Sequence, residues 1–153
     1  MFYGNIHGEE LWLGDRLRDG SWTGEFLRQF CMIQLPYFWL CAHERRRIEN
    51  RDGVKTAFFS DGIVSEKGSL TQNGRTLKTP DWVSLPVPWT ENAHLIYSDE
   101  AGLGNFPLSG DGIWKVSEIT PEGLRPRGTV SPENGTVSLS PSAGTAVLLR
   151  KES

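Results

Sequence analysis

The chain is poor in the residues that build metal and redox sites, with two cysteines and three histidines in 153 residues. Cys31 and Cys41 stand in an apolar neighbourhood, a setting that favours free buried thiols over a disulfide. His7, His43 and His94 are far apart, and no H-x-x-H, H-E-x-x-H or C-x-x-C spacing accompanies them. No metal site and no cofactor is therefore expected. Charge of one sign is also scarce: sixteen Lys plus Arg face nineteen Asp plus Glu, a net charge of −3 with no basic stripe. That balance argues against a nucleic-acid partner. Long apolar runs are missing too, since the stretch from Pro36 to Ala42 is far shorter than the ~20 residues a membrane helix needs. The opening "MFYGNIHGEELW" has neither the basic nor the apolar region of an export signal. No membrane partner is expected, and the sequence assigns no compartment.

What the chain does have is punctuation, with seventeen glycines and nine prolines. Asp52-Gly53, Asp61-Gly62, Asn73-Gly74 and Asn134-Gly135 each offer the positive φ that a tight hairpin requires, because glycine adopts it freely and Asn or Asp more readily than most residues. Asn134-Gly-Thr is formally a glycosylation sequon, but the hairpin reading is preferred. Between such turns lie short runs rich in β-branched and aromatic residues: "CMIQLPYFWLCA", "VKTAFFS", "GIVSE", "DWVSLPV", "HLIYS", "IWKVSEIT", "GTVS", "TVSLS" and "TAVLLRK". Runs of this kind read as strands of an antiparallel β-sandwich. In "IWKVSEIT", Trp114, Val116 and Glu118 alternate with Ile113, Lys115, Ser117 and Ile119, as on a half-buried strand. Pro86 and Pro88 remove ladder donors, so "LPVPW" should lie at an edge or leave the sheet. Ahead of these strands, Ser21 or Thr23 can cap one short helix with Phe26, Leu27 and Phe30 on one face. The fold class expected is mainly β, preceded by a short helical and loop segment.

Candidate chemistry is sparse. Ser60-Asp61-Gly62 and Ser109-Gly110-Asp111 lack the G-x-S-x-G pattern and read as turns. Gly102 and Gly104 precede "NFPLSG" rather than a helix, so they form no phosphate cradle. "ERRR", Glu44 to Arg47, reads as a charged turn or an exposed strand end, and His94 as an exposed strand residue. Glu9, Glu10, Asp15, Asp19 and Glu25 put carboxylates near Trp12 and Trp22, as hydrolysis of a glycoside would require, yet a solvated loop explains them as well. Six tryptophans remain. Sugars pack C–H faces on aromatic rings and direct hydroxyls to polar groups at the ring edges, so Trp12, Asp15, Trp22 and Trp89 are the candidate carbohydrate contacts. Trp39, Trp82 and Trp114 fall within strand-like runs and suit a core.

The order of these pieces resembles the C-terminal part of glycoside hydrolase family 101, the endo-α-N-acetylgalactosaminidases, and related α-N-acetylgalactosaminidases. "GEFLRQFCMIQL" is similar to the segment where that family's catalytic barrel gives way to a β-domain. "AFFSDGIVSEKGSLTQNGRTLK" resembles its strand, turn and strand, "VSLPVPWTENAHLIYSDEAG" a strand ending in Tyr before a Gly turn, and "WKVSEITPEGLRPRGTVSPENGTVSLSPSAGTAVLLRK" its terminal block. The likeness runs over residues 20–151, and the tryptophan of the family's "WTLP..W" stretch is not clearly reproduced. It implies that residues 1–30 are the remnant of a barrel end and that residues 31–153 form a C-terminal β-sandwich. The family's catalytic residues lie upstream of these motifs, so none is carried over. The chain is expected to be a fragment or accessory domain, itself non-catalytic, with the upstream barrel and α-N-acetylgalactosaminyl glycans as partners. An autonomous carbohydrate-binding module is the alternative.

Overall fold

The computed structural model describes residues 24–151 apart from 89, 103 and 121, with side chains from residue 27 onward. A helical run comes first, in three pieces: α1 (Gly24–Gln29), a π-turn (Phe30–Gln34) and α2 (Leu35–Cys41). The apolar stretch "CMIQLPYFWLCA", expected to be a strand, is therefore helical. Its burial follows a period near 3.6 rather than 2: Leu27, Phe30, Cys31, Leu35 and Trp39 are buried, whereas Ile33, Tyr37 and Cys41 are exposed. Composition alone misleads here, because a twelve-residue apolar run suits a helix better than a strand. Pro36 sits in the first turn of α2, where its missing N–H is tolerated. The π-turn just before it carries the bond from Leu35 N–H to the Phe30 carbonyl.

Twelve strands follow. They are β1 (Arg45–Arg51), β2 (Val54–Phe59), β3 (Ile63–Glu66), β4 (Ser69–Gln72), β5 (Arg75–Lys78), β6 (Trp82–Pro86), β7 (Ala93–Ser98), β8 (Gly104–Pro107), β9 (Trp114–Thr120), β10 (Gly123–Val130), β11 (Thr136–Leu139) and β12 (Thr145–Lys151). Ten pair antiparallel in one sheet in the order β1-β2-β3-β4-β5-β6-β7-β12-β9-β10, and β11 pairs with β8 as a separate ribbon. The first six strands form a meander whose turns the sequence names well. Arg51↔Val54 and Gln72↔Arg75 close over Asp52-Gly53 and Asn73-Gly74, each with both turn residues at positive φ. Lys67-Gly68 makes a third such turn that its sequence does not announce, and Asp61-Gly62 belongs to a longer connection through the 3-10 turn Ser60–Gly62. Asn134-Gly135 turns the chain between Glu133 and Thr136, as the hairpin reading requires. Gly135 is fixed twice over: its φ is +76°, and a Cβ there would come within 2.9 Å of the Arg75 guanidinium.

Alternation along the central strands explains the layering. Val83, Leu85, Leu95, Tyr97, Ala146, Leu148 and Ile119 face one way and pack with the helical run. Ile96, Val147, Leu149, Trp114 and Val116 face the other way and pack with Phe106, Leu108 and Val137 from the ribbon side. Every residue of β7 is buried as a result. Pro86 ends β6 opposite His94, beyond the one residue pair that joins β6 to β5, so its missing donor breaks no ladder bond. "ERRR" begins the edge strand β1, which is exposed along nearly its whole length. Its arginines discourage edge-to-edge pairing with another chain.

The two cysteines are free, Cys31 buried and Cys41 exposed. Trp39 and Trp114 are core residues as expected, although Trp39 lies on a helix. Trp82 is half-buried, its ring edge-on to Phe106 with centroids 5.5 Å apart. Leu148→Ala, at the centre of the helix-side core, should cost about 2–5 kcal/mol. Ile48→Ala, on the exposed edge strand, should stay within about 0.5 kcal/mol. Urea unfolding of the two variants measures both.

Candidate functional site

At one end of the central strands β6 stops, β7 starts, β12 stops and β9 starts. This convergence leaves a cleft of about 460 Å³ between the 90–92 and 109–110 loops. His94, Trp114 and Pro86 line it, while Glu91, Asn92 and Lys151 supply polar and charged groups. Register holds it together: Lys151 pairs with Trp114 across β12 and β9, and the Lys151 N–H donates to the Asn92 carbonyl at 2.9 Å. The Lys151 ammonium stands 3.5 Å from Asp111, whose own side chain is fully exposed.

His94 is buried, not exposed as its place in "AHLIYS" suggests, because β7 is covered on both faces. It belongs to a polar network inside the sandwich. The Ser84 hydroxyl donates to the Pro107 carbonyl at 2.7 Å and lies 2.7 Å from His94 Nε2. With its proton committed to Pro107, the hydroxyl accepts from Nε2–H, and because burial disfavours the charged ring, Nδ1 is left without a proton. Burial first, and then the nearby Arg75 guanidinium, lower the His94 pKa to about 3, against a partial opposing effect of the Pro107 carbonyl. Trp114 is buried beside it, and its Nε1–H has no hydrogen-bond partner. An unmatched buried donor of this kind costs about 1–3 kcal/mol.

A second polar cluster lies on the opposite face, between helix and sheet. Arg28 Nε in α1 donates to both oxygens of Asp99 at 2.9 and 3.1 Å, and the Tyr97 hydroxyl donates to Asp99 at 3.0 Å. The Arg28 bond above all holds Asp99 below the usual carboxylate range. Burial and the bond to Asp99 push the Tyr97 phenol up, and burial pushes the Cys31 thiol up. Lys78 is also buried, turned inward beside Leu77 where the β4–β5 register slips, and burial lowers its pKa. Its ammonium donates to the Gly68 and Thr79 carbonyls at 2.7 and 3.2 Å. Arg28, Asp99, Tyr97 and Lys78 thus each have a structural partner, and the Arg28–Asp99 pair fastens α1 to the sheet.

Trp12, Asp15, Trp22 and Trp89, the carbohydrate contacts proposed from sequence, all lie outside the described residues. So do His7, Glu9, Glu10, Asp19 and Pro121, while Glu25 is described by its backbone alone. Thr90, Glu91 and Asn92, which directly follow Trp89, line the cleft. Sequence reasoning missed the rest of it. His94 and Ser84 carry no motif, and only the apolar character of both faces of β6 and β7 hints that polar residues there are buried. Among the described residues no group of three or more His, Cys, Asp or Glu is placed to hold a metal ion. No helix among them is long and apolar enough to cross a membrane.

No family model and no curated protein matches the chain. Among solved structures, a GH30 endoxylanase from Clostridium papyrosolvens C71 superposes over 67% of this chain at TM-score 0.33 and 6% identity. CelM2, a bifunctional glucanase-xylanase from a metagenome library, does so over 64% at 0.37 and 17%. The family 30 subfamily 8 xylanase Xyn30A from Clostridium acetobutylicum does so over 65% at 0.29 and 10%. This chain spans 24%, 19% and 24% of those proteins' lengths, respectively. None of the three is described as an α-N-acetylgalactosaminidase.

The His94 pKa sets a stability window. Unfolded, the imidazole takes up its proton near pH 6.5, whereas folded it does so only near 3. The unfolded state therefore binds more protons between these values, so stability is complete above pH 6.5 and is lost as pH falls towards 3. Between pH 7 and 5 the Tm should drop, with a slope approaching about 1.4 kcal/mol per pH unit. His94→Gln should flatten that slope in the same calorimetric series.

Proposed function

We propose that the chain is a non-catalytic β-domain of a glycoside hydrolase acting on α-N-acetylgalactosaminyl glycans. In this reading residues 1–30 are the tail of the catalytic barrel and residues 31–153 the accessory domain, with the helical run crossing from one to the other. The observation that carries it is the outward face of that run. Ile33 and Tyr37, one helical turn apart, are 60% and 63% exposed, although the opposite face of the same run is buried in the core. An apolar surface on an element already docked along its other side marks a contact with a second body. In sequence the run directly follows residues 1–23, which include Phe2, Tyr3, Leu11, Trp12 and Leu13.

The state of the described carboxylates supports the non-catalytic part. A glycosidase acid needs its pKa raised, and its partner carboxylate must stand at a set distance. Asp99 and Glu49 are both held below their usual range, Asp99 by Arg28 and Glu49 by Arg47 first and Arg51 besides. Glu118 lies 2.9 Å from Arg127. These carboxylates serve as anchors for arginine.

Purified chain incubated with the 4-nitrophenyl α-glycosides of GalNAc and Gal-β-1,3-GalNAc should release no nitrophenol. Turnover abolished by Asp15→Asn would overturn the non-catalytic reading. Supplied in trans with the catalytic barrel of a family 101 enzyme, the chain should associate in sedimentation velocity. Ile33→Ser with Tyr37→Ser should abolish that association while the Tm is kept; undiminished association in this variant would contradict the proposed contact.

A further inference from the structure

We infer that the cleft at the end of the central strands is a binding site for one uncharged, hydroxyl-rich ligand, a neutral sugar unit. The inference builds on the reading of the chain as a carbohydrate-enzyme domain and assigns it a ligand site distinct from the helix face. Three observations carry it. The cleft, about 460 Å³, has room for a sugar unit. Its lining mixes an aromatic wall with complementary polar groups: Asn92 and Ser109 both donate and accept, Glu91 accepts and Lys151 donates. A hydroxyl both donates and accepts, so one ligand type satisfies all of them.

The third observation is charge. Lys151 is balanced by Asp111 at 3.5 Å, Glu91 adds a negative charge, and burial keeps the His94 imidazole neutral. The site therefore offers an anion no net attraction, although it contains a lysine and a histidine. Trp114, whose Nε1–H lacks an acceptor, forms part of the wall. A ligand seated against that wall changes the surroundings of the ring, and this makes the indole resonance the reporter of occupancy.

The test is a titration of 15N-labelled chain with methyl α-N-acetylgalactosaminide, methyl β-xyloside and, as the charged probe, sodium glucuronate. The indole resonances are followed and that of Trp114 is assigned by Trp114→Phe. A neutral glycoside should move the Trp114 indole signal saturably, with a Kd on the order of 1 mM that is unchanged between pH 5 and 8. Ser109→Trp, a substitution on the exposed loop that fills the mouth of the cleft, should weaken binding at least about tenfold without lowering the Tm. Three results would overturn the inference: no saturable shift with either neutral glycoside, tighter binding of glucuronate than of both, or full binding in Ser109→Trp. Nitrophenol release in the hydrolysis assay leaves the cleft standing and removes only the non-catalytic reading. A cleft that stays empty in a chain that also releases no nitrophenol removes only the cleft.

Discussion

Everything in this molecule follows from the two-sided burial of its central strands. β6, β7, β12 and β9 carry apolar residues on both faces, so neither face can be left to water. The helical run covers one face and the β8–β11 ribbon side covers the other. Each cover brings its own polar fastening: Arg28 to Asp99 and Tyr97 beneath the helix, and Ser84 to Pro107 and His94 beneath the ribbon. Buried polar groups are tolerated only when paired. These two networks therefore fix how the covers sit as well as holding them down.

Covering both faces also decides where a ligand site can be. A sandwich with a free face can present a platform of aromatic residues, but here Trp39 and Trp114 are spent on packing and Trp82 is half-buried against Phe106. At the end of these strands, where four of them stop or start and two loops overhang, an opening remains. The cleft lies there, walled by residues whose first duty is to the core. The same arrangement leaves the outward side of the helical run as the apolar surface for a second body. The proposed sugar site and the proposed body contact thus fall on separate parts of the fold.

Much of the strand ladder is legible in the sequence, because its signals are local, although β4, β5 and β8 are too short and polar to stand out as strand runs. Asp52-Gly53, Asn73-Gly74 and Asn134-Gly135 place turns by backbone chemistry alone, and Trp114 and Val116 alternate with Lys115 as a strand must. Edge strand β1 was readable only as an exposed charged end, since nearly all its residues are polar and carry no periodic signal. The helical run was misread because apolar and aromatic composition outweighed a 3.6-residue period that the π-turn before Pro36 partly obscures. His94 was misplaced for a different reason. Burial on the second face depends on a ribbon drawn from residues 104–139, a long-range fact that no window around residue 94 contains. The cleft was hidden likewise, as it joins residues 86–94 to 109–114 and to 151.

The sugar site is proposed at the strand-end cleft because packing occupies both faces of the central strands. Diffraction from crystals soaked in methyl α-N-acetylgalactosaminide tests it most directly. The account predicts density for one sugar ring between His94, Trp114 and the 90–92 loop. Density for the sugar on the outward face of the helical run, or along a face of the large sheet, would contradict it.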